Sequence, residues 1–285
     1  MTTRTAARSL EGAYALVTGG GTGIGRGIAT SLALEGAVVT LAARRTDVLE
    51  TTAEQLQAEI PGAEVRIAAC DVTVSEQVEA AVSIAAGPDG RLDIAVANAG
   101  TGIPGPFLLL DDNAWRLCCD LNIIGTASTF RYAALAMREH GGSLVAISTA
   151  ASSAPEVGMA AYTSTKAAVD MMVRAAAWEL GVYGIRVNSI LPGYVPTGST
   201  EGAFTPRLAE DLLQRSALKR NGTPEDIGAT VVHLSRPGGW ITGQVIGVDG
   251  GMTVQPMADL SDLSRRMYGD AAVDEALGRG RGAAQ

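Results

Sequence analysis

Short apolar runs rich in β-branched residues alternate with longer helix-patterned segments along most of this chain, and that alternation constrains its fold more than any other feature. The strand-like runs are residues 14–18, 38–43, 65–70, 94–98, 144–148, 186–191 and 245–248. The helix-like segments between them are 24–35, 46–59, 75–86, 113–140, 162–180 and 224–235. Several of the strands are apolar nearly throughout, as strands buried on both faces are. Such alternation implies right-handed crossovers and a mostly parallel sheet covered by helices on both sides. It runs to about Gly251 without a linker or repeat, so one α/β domain is expected over 11–253, after a flexible 1–10. From 254 to 285 the pattern stops. Leu260, Leu263 and Met267 keep helical spacing before a Gly-Arg-Gly-Arg-Gly run, so the tail reads as partly helical, then flexible. It is either a solvated tail or a helix that packs over the site or on a neighbouring subunit.

Composition removes several classes of function. The 285 residues are 47% hydrophobic and 18% charged, which suits an extensive globular interior. A net charge of −8 has the wrong sign for a nucleic-acid binder. No apolar stretch is long enough to span a bilayer, and residues 1–8 lack the apolar core of a secretory signal. Cys70, Cys118 and Cys119 are odd in number and lack framework spacing, so they read as reduced thiols in a cytoplasmic protein. The adjacent Cys118 and Cys119 are either a redox pair or two packing thiols.

Thr18-Gly-Gly-Gly-Thr-Gly-Ile-Gly25 follows the first strand and opens the first helix. Glycines let the backbone approach a pyrophosphate, and a helix N-terminus offers free N–H groups and a positive dipole end. The spacing is G-x-x-x-G-x-G through Gly19, Gly23 and Gly25, not G-x-G-x-x-G. Placed in the first strand-helix unit, the loop points to a dinucleotide. The second strand ends Leu41-Ala-Ala-Arg-Arg45. An acidic residue there would bind the ribose 2′-OH of NAD, whereas a guanidinium suits a 2′-phosphate. NADP(H) is therefore expected in preference to NAD(H), with Arg44 a better candidate than Arg45; the alternative is that both are surface residues starting the next helix. Asp71, after the third strand, either meets the adenine edge or caps the next helix.

Tyr162 and Lys166 stand four residues apart at the start of the 162–180 segment, so on a helix they share a face. An ammonium beside a phenol lowers the phenol's pKa, and a tyrosine tuned that way exchanges a proton with a substrate oxygen near neutral pH. Taken alone, the pair also fits a surface helix on which the lysine runs past the ring.

The glycine loop and Tyr-x-x-x-Lys in this order resemble the short-chain dehydrogenase/reductase family, in particular its NADP-preferring, 3-oxoacyl-reductase-like members. Asn98-Ala-Gly100, Asn122 in Asp-Leu-Asn, Arg186-Val-Asn188, Pro192-Gly193, Gly222-Thr-Pro-Glu-Asp226, Thr242-Gly-Gln244 and Val248-Asp-Gly-Gly251 match its motifs too. The resemblance covers about residues 11–253. It implies a single-domain, Rossmann-like, doubly wound parallel sheet of seven strands in the order 3-2-1-4-5-6-7. It also implies cofactor contacts from Gly19, Gly21, Thr22, Gly23 and Ile24, and from Arg44, Arg45, Asp71 and Val72. Asn98, Ala99 and Gly100 would add to these, as would Pro192, Gly193, Val195 and Thr197, the last on the nicotinamide amide.

The chemistry implied is hydride transfer between the nicotinamide C4 and a carbinol or carbonyl carbon. Tyr162 would move the proton. Lys166 would lower the tyrosine's pKa and hold the nicotinamide ribose. Asn122 would fix a water linking Lys166 to bulk solvent. The family's catalytic serine lies thirteen residues before the tyrosine, where this chain has Thr149. Thr149 keeps the hydroxyl, but its β-methyl restricts χ1. Ser148 is the alternative, and strand alternation would turn the two hydroxyls to opposite faces.

Other chemistries lack their residues. His140 and His233 are far apart and without a cluster of ligand spacing, so no metal is expected; His140 reads as the end of a helix. There is no G-x-S-x-G elbow for a hydrolase. The 162–180 helix is apolar almost all round and needs cover on a second face. A homodimer or homotetramer using the 113–140 helix would supply it, or else the chain's own tail. Residues 198–220, with Phe204, Leu208, Leu212 and Leu213, read as a partly apolar lid. The expected function is an NADP(H)-dependent oxidoreductase interconverting a small-molecule ketone and a secondary alcohol, without nucleic-acid or membrane partners. The alternative is a non-catalytic NADP-binding redox sensor.

Overall fold

Seven strands form one parallel sheet in the expected order, β3-β2-β1-β4-β5-β6-β7, in a computed structural model that describes residues 8–198, 204–256 and 258–278. Most of the expected flexible N-terminus (1–7), the beginning of the expected lid (199–203) and the Gly/Arg-rich end (from 279) lie outside the described residues. The strands are β1 (Tyr14–Thr18), β2 (Val38–Ala43), β3 (Val65–Ala69), β4 (Ile94–Ala97), β5 (Gly142–Ile147), β6 (Ile185–Pro192) and β7 (Val245–Val248). Helices α1 (Gly23–Leu34), α2 (Thr46–Glu59) and α3 (Ser75–Ala85) follow the first three strands. Beyond β4 come α4 (Asp112–Cys118), α5 (Gly125–Met137), α6 (Ala160–Leu180), α7 (Pro206–Arg215) and α8 (Pro224–Ser235).

The apolar strands are explained by two cores. Ala15 and Val17 of β1 pack with Ile28, Leu32, Leu49, Leu56 and Val231 from α1, α2 and α8. Leu16, between them, points the other way, to Val78, Phe130, Met137 and Val169 from α3, α5 and α6. Each such fully buried leucine contributes about 1.5–3 kcal/mol. β1 pairs with β2 on one side and with β4 on the other. The strand order therefore reverses beside β1, and a crevice opens at the carboxyl ends of the strands at that point.

Three sequence expectations are corrected. The helix expected over 113–140 is α4, a π-helical turn at Cys119–Ile124, and α5. A single π turn leaves helical apolar spacing on both sides, so periodicity does not reveal it; such turns concentrate at functional sites. His140 does not end the helix, because α5 stops at Met137 and the His140 N–H reaches back to the Met137 carbonyl at 3.1 Å in the following turn. Part of the segment expected as a lid is helical: α7 has Pro206 in its first turn, and Thr205 caps it by accepting from the Leu208 N–H at 3.2 Å.

The chain divides into two compact units after Thr253. The second contains two short helices rather than one, α9 (Ser261–Tyr268) and α10 (Asp270–Ala276). Arg265 links them, with its guanidinium 3.3 Å from Asp270 and 2.5 Å from Asp274. Among the described residues no helix is long and apolar enough to cross a membrane.

Candidate active site

The glycine loop is as tight as its sequence suggests. Gly19 has φ +65°, and a Cβ on Gly25 would lie 2.1 Å from the Gly19 carbonyl oxygen, so neither position tolerates a side chain. Thr22 is the N-cap of α1, and the first turn of that helix carries no acidic residue. Ile24 anchors the turn against the core. Asn98 holds the loop: its Nδ2 donates to the Thr18 carbonyl at 2.9 Å and to that of Gly19 at 3.2 Å. The Thr18 hydroxyl accepts in return from the Asn98 and Ala99 N–H groups.

A groove of about 280 Å³ runs from Gly19, Gly21 and Thr22 past the ends of β2 and β3 to Ala99 and Gly100. Arg44, Arg45, Asp71 and Val72 line it. A glycine-walled groove at a free helix N-terminus fits the pyrophosphate of a dinucleotide. Arg44 is largely exposed, with its guanidinium 4.0 Å from the Asp71 carboxylate. Asp71 shapes its own turn: the Thr73 N–H and hydroxyl donate to it at 3.0 and 2.7 Å, which holds its carboxyl below the usual range. Val74, not Asp71, is the N-cap of α3. On the far side of the groove, Gly193 follows Pro192 and donates to Val248 at 3.1 Å; Val195 is buried, and Thr197 returns to within 3.1 Å of where a Cβ on Gly23 would be.

Tyr162 and Lys166 occupy the first two turns of α6. Lys166 is only 4% exposed; its Nζ donates to the Ile147 carbonyl at 2.7 Å and lies 5.9 Å from the centre of the Tyr162 ring. Burial lowers the Lys166 pKa to about 8, with Asp170 opposing. The expectation that the lysine lowers the pKa of Tyr162 is corrected. Burial pushes the phenol above its ordinary value; the nearby Thr149 hydroxyl opposes this, and Glu156 and Cys118 add to it. The ammonium is turned to a backbone carbonyl, and desolvation of the phenolate is the largest influence on Tyr162.

The two candidate hydroxyls separate as strand alternation requires. Ser148 is buried, and its Oγ donates to the Lys166 carbonyl at 3.3 Å, away from the phenol. Thr149 caps the short turn Ala150–Ser152 and faces Tyr162. Asn122 lies in the π turn and is fully enclosed. Its Oδ1 accepts from the Thr101 N–H, while Nδ2 donates to the Thr101 carbonyl and the Thr165 hydroxyl, all at 2.9 Å. Both Nδ2 hydrogens are thus used, and of the side chain only the second Oδ1 lone pair is left for a water. A Cβ on Gly100 would sit 2.9 Å from Asn122 Oδ1 and 3.2 Å from Lys166 Nζ, so the groove ends against the lysine.

A family model described as Enoyl-(Acyl carrier protein) reductase matches residues 19–253. The chain belongs to the short-chain dehydrogenase/reductase family. It is an NAD(P)-dependent oxidoreductase acting on CH–OH groups. It is 33% identical over 245 residues to 7alpha-hydroxysteroid dehydrogenase of Escherichia coli K12, covering 85% of this chain and 94% of that protein. It is 33% identical over 241 residues to the 3-oxoacyl-[acyl-carrier-protein] reductase FabG of Staphylococcus aureus Mu50, covering 84% and 97%. A solved short-chain type dehydrogenase/reductase from Mycobacterium ulcerans superposes with a TM-score of 0.82 at 36% identity, covering 93% of this chain and 98% of that one.

Sequence reasoning missed three groups around this dehydrogenase/reductase's tyrosine. Cys118 and Glu156 both bear on the phenol, and Asp170 bears on the lysine. Only Asp170 had a signal, as the one acid in the apolar stretch between Lys166 and Arg174. Among the described residues no group of His, Cys, Asp and Glu could hold a metal ion.

Proposed function

We propose that this dehydrogenase/reductase interconverts a ketone and a secondary alcohol with NADP(H), with Tyr162 as its acid and base. The observation that carries the reading is the meeting of the Tyr162 phenol, the Thr149 hydroxyl and the buried Lys166 where the glycine-walled groove ends. A bound nicotinamide would supply or accept the hydride. Thr149 donates a hydrogen bond to the substrate oxygen. Tyr162 stays protonated at neutral pH because its pKa is raised, and it gives that proton to the developing alkoxide. Lys166, charged below about pH 8, stabilises the phenolate left behind. Asn122 positions the Thr101 backbone and Thr165 beside the lysine, and its remaining lone pair is where a relay water would bind.

Arg44 at the end of β2, without an acidic residue at that strand end, supports NADP(H) over NAD(H). Phe107, Leu108 and Val157 are exposed, and the segments that carry them are joined by a 2.8 Å hydrogen bond from the Gly105 N–H to the Gly158 carbonyl, which supports a substrate with a bulky apolar body. Tyr194 and Phe204 stack 5.2 Å apart at the lid. α6 buries one face only and leaves Met171 and Trp178 exposed; with Leu117, Ile124 and Leu135 they support a homodimer or homotetramer. Three unbridged cysteines suit the cytoplasm.

The test is NADPH oxidation over a panel holding a 7-oxosteroid, a 3-oxoacyl thioester and simple bulky ketones. Tyr162→Phe should lose about 10²-fold or more of kcat. Turnover that survives unchanged would sink the acid role, and tight NADPH binding with no turnover on any ketone would favour the sensor.

A further inference from the structure

Among the described residues, Lys166 and Asp170 are the only buried charged side chains, at 4% and 5% exposure. They lie one turn apart on the inward face of α6. Removing a charge from water is unfavourable unless an opposite charge or hydrogen bonds offset it. Lys166 Nζ donates to a neutral acceptor, the Ile147 carbonyl. Its opposite charge is Asp170, which is held elsewhere. Oδ1 of Asp170 accepts from Ser189 Oγ on β6 at 2.7 Å, and Oδ2 accepts from Ser152 Oγ at 2.5 Å. Ser152 closes the turn that begins at Thr149: its N–H donates to the Thr149 carbonyl at 3.0 Å, and its single hydroxyl hydrogen is shared between Asp170 Oδ2 and that carbonyl, 2.9 Å away. Both carboxylate oxygens therefore act as acceptors, held between β6 and the turn bearing the site hydroxyl.

We propose that Asp170 is a positioning residue for the Tyr162–Lys166 pair: its carboxylate keeps Lys166 charged inside the protein and, through Ser152, holds the turn that carries Thr149. The proposal rests on the assignment of Tyr162, Lys166 and Thr149 as the reacting groups. The other titratable groups near the pair are Cys118, from α4, and Glu156, from the loop before α6; both act on Tyr162. Of the charged groups, Asp170 is the one that supports the charged lysine against burial.

The chain has only two lysines, Lys166 and Lys219, so protein labelled with [13Cε]lysine gives two resonances, and Lys166→Met assigns them. In the wild type the Lys166 resonance should titrate near pH 8. In Asp170→Asn and Asp170→Ser, made in parallel so that poor folding of one leaves the other, the midpoint should fall by about one pH unit or more. The basic limb of kcat/KM for ketone reduction should move down with it, and Asp170→Glu should return both toward the wild type. A Lys166 midpoint that stays put in a folded Asp170 variant would leave Asp170 a purely structural residue and overturn the proposal. The titration needs no turnover, so failure of the Tyr162 assignment is read separately, from Tyr162→Phe.

Discussion

Replacing Lys166 with methionine should make the protein more stable at neutral pH while abolishing turnover. Burial takes the lysine from its ordinary 10.5 to about 8. A lysine whose pKa is depressed in the native state is protonated more readily in the unfolded chain. Between about pH 8 and 10.5 the unfolded chain holds a proton that the native state releases, so stability rises with pH across that window. Below it the native state carries the whole penalty, two and a half pH units at about 1.4 kcal/mol each, or roughly 3 kcal/mol. Methionine fills similar space without the charge. Its cost is the Ile147 carbonyl left without a donor, about 1 kcal/mol. At pH 7 the variant should therefore gain about 2 kcal/mol. The sharper readout is a difference of differences, in which the other groups cancel. From pH 7 to 9.5 the wild type should gain about 2 kcal/mol relative to Lys166→Met. Urea unfolding followed by tryptophan fluorescence at a series of pH values measures both. Parallel pH curves, or a variant less stable at pH 7, would refute the claim that the lysine is held at the expense of the fold.

Two further outcomes follow from the site's geometry. Asn122→Leu removes three hydrogen bonds from an enclosed position and should destabilise by about 3 kcal/mol, seen as a fall in Tm of roughly 6–10 °C, together with weakened turnover. A smaller fall would show that Asn122 does not hold the Thr101 backbone in place. Arg44→Asp should weaken NADPH binding by about tenfold or more and reverse the NADPH/NADH order in fluorescence titrations. An unchanged order would place the 2′-phosphate away from the end of β2.

Strand and helix periodicity carried most of the architecture. Val38–Ala43, Thr46–Glu59, Val245–Val248 and Pro224–Ser235 were legible to the residue, because a glycine, a proline or a capping threonine stands within two residues of at least one end of each and apolar residues recur at one period inside. β5 and β6 begin earlier than their apolar runs suggest, since Gly142 and Ile185 pair with each other across the sheet regardless of local pattern. The π turn escaped because it changes hydrogen bonding, not hydrophobic spacing. α7 was expected only as part of a lid, although its Thr-Pro start is a helix signal.

The site divides along the same line. Sequence alone determined that a glycine loop would open the first helix, that Tyr162 and Lys166 would share a helical face, and that Ser148 and Thr149 would point apart. Each of these is a consequence of covalent spacing and local periodicity. Only the tertiary structure decided that Asn98 braces the glycine loop, that burial raises Tyr162 while lowering Lys166, and that Asp170 lies across Ser152 and Ser189. Those facts depend on which segments distant in sequence exclude water from a given group. Desolvation and long-range hydrogen bonds exist only once the sheet has brought β4, β5, β6 and α6 together.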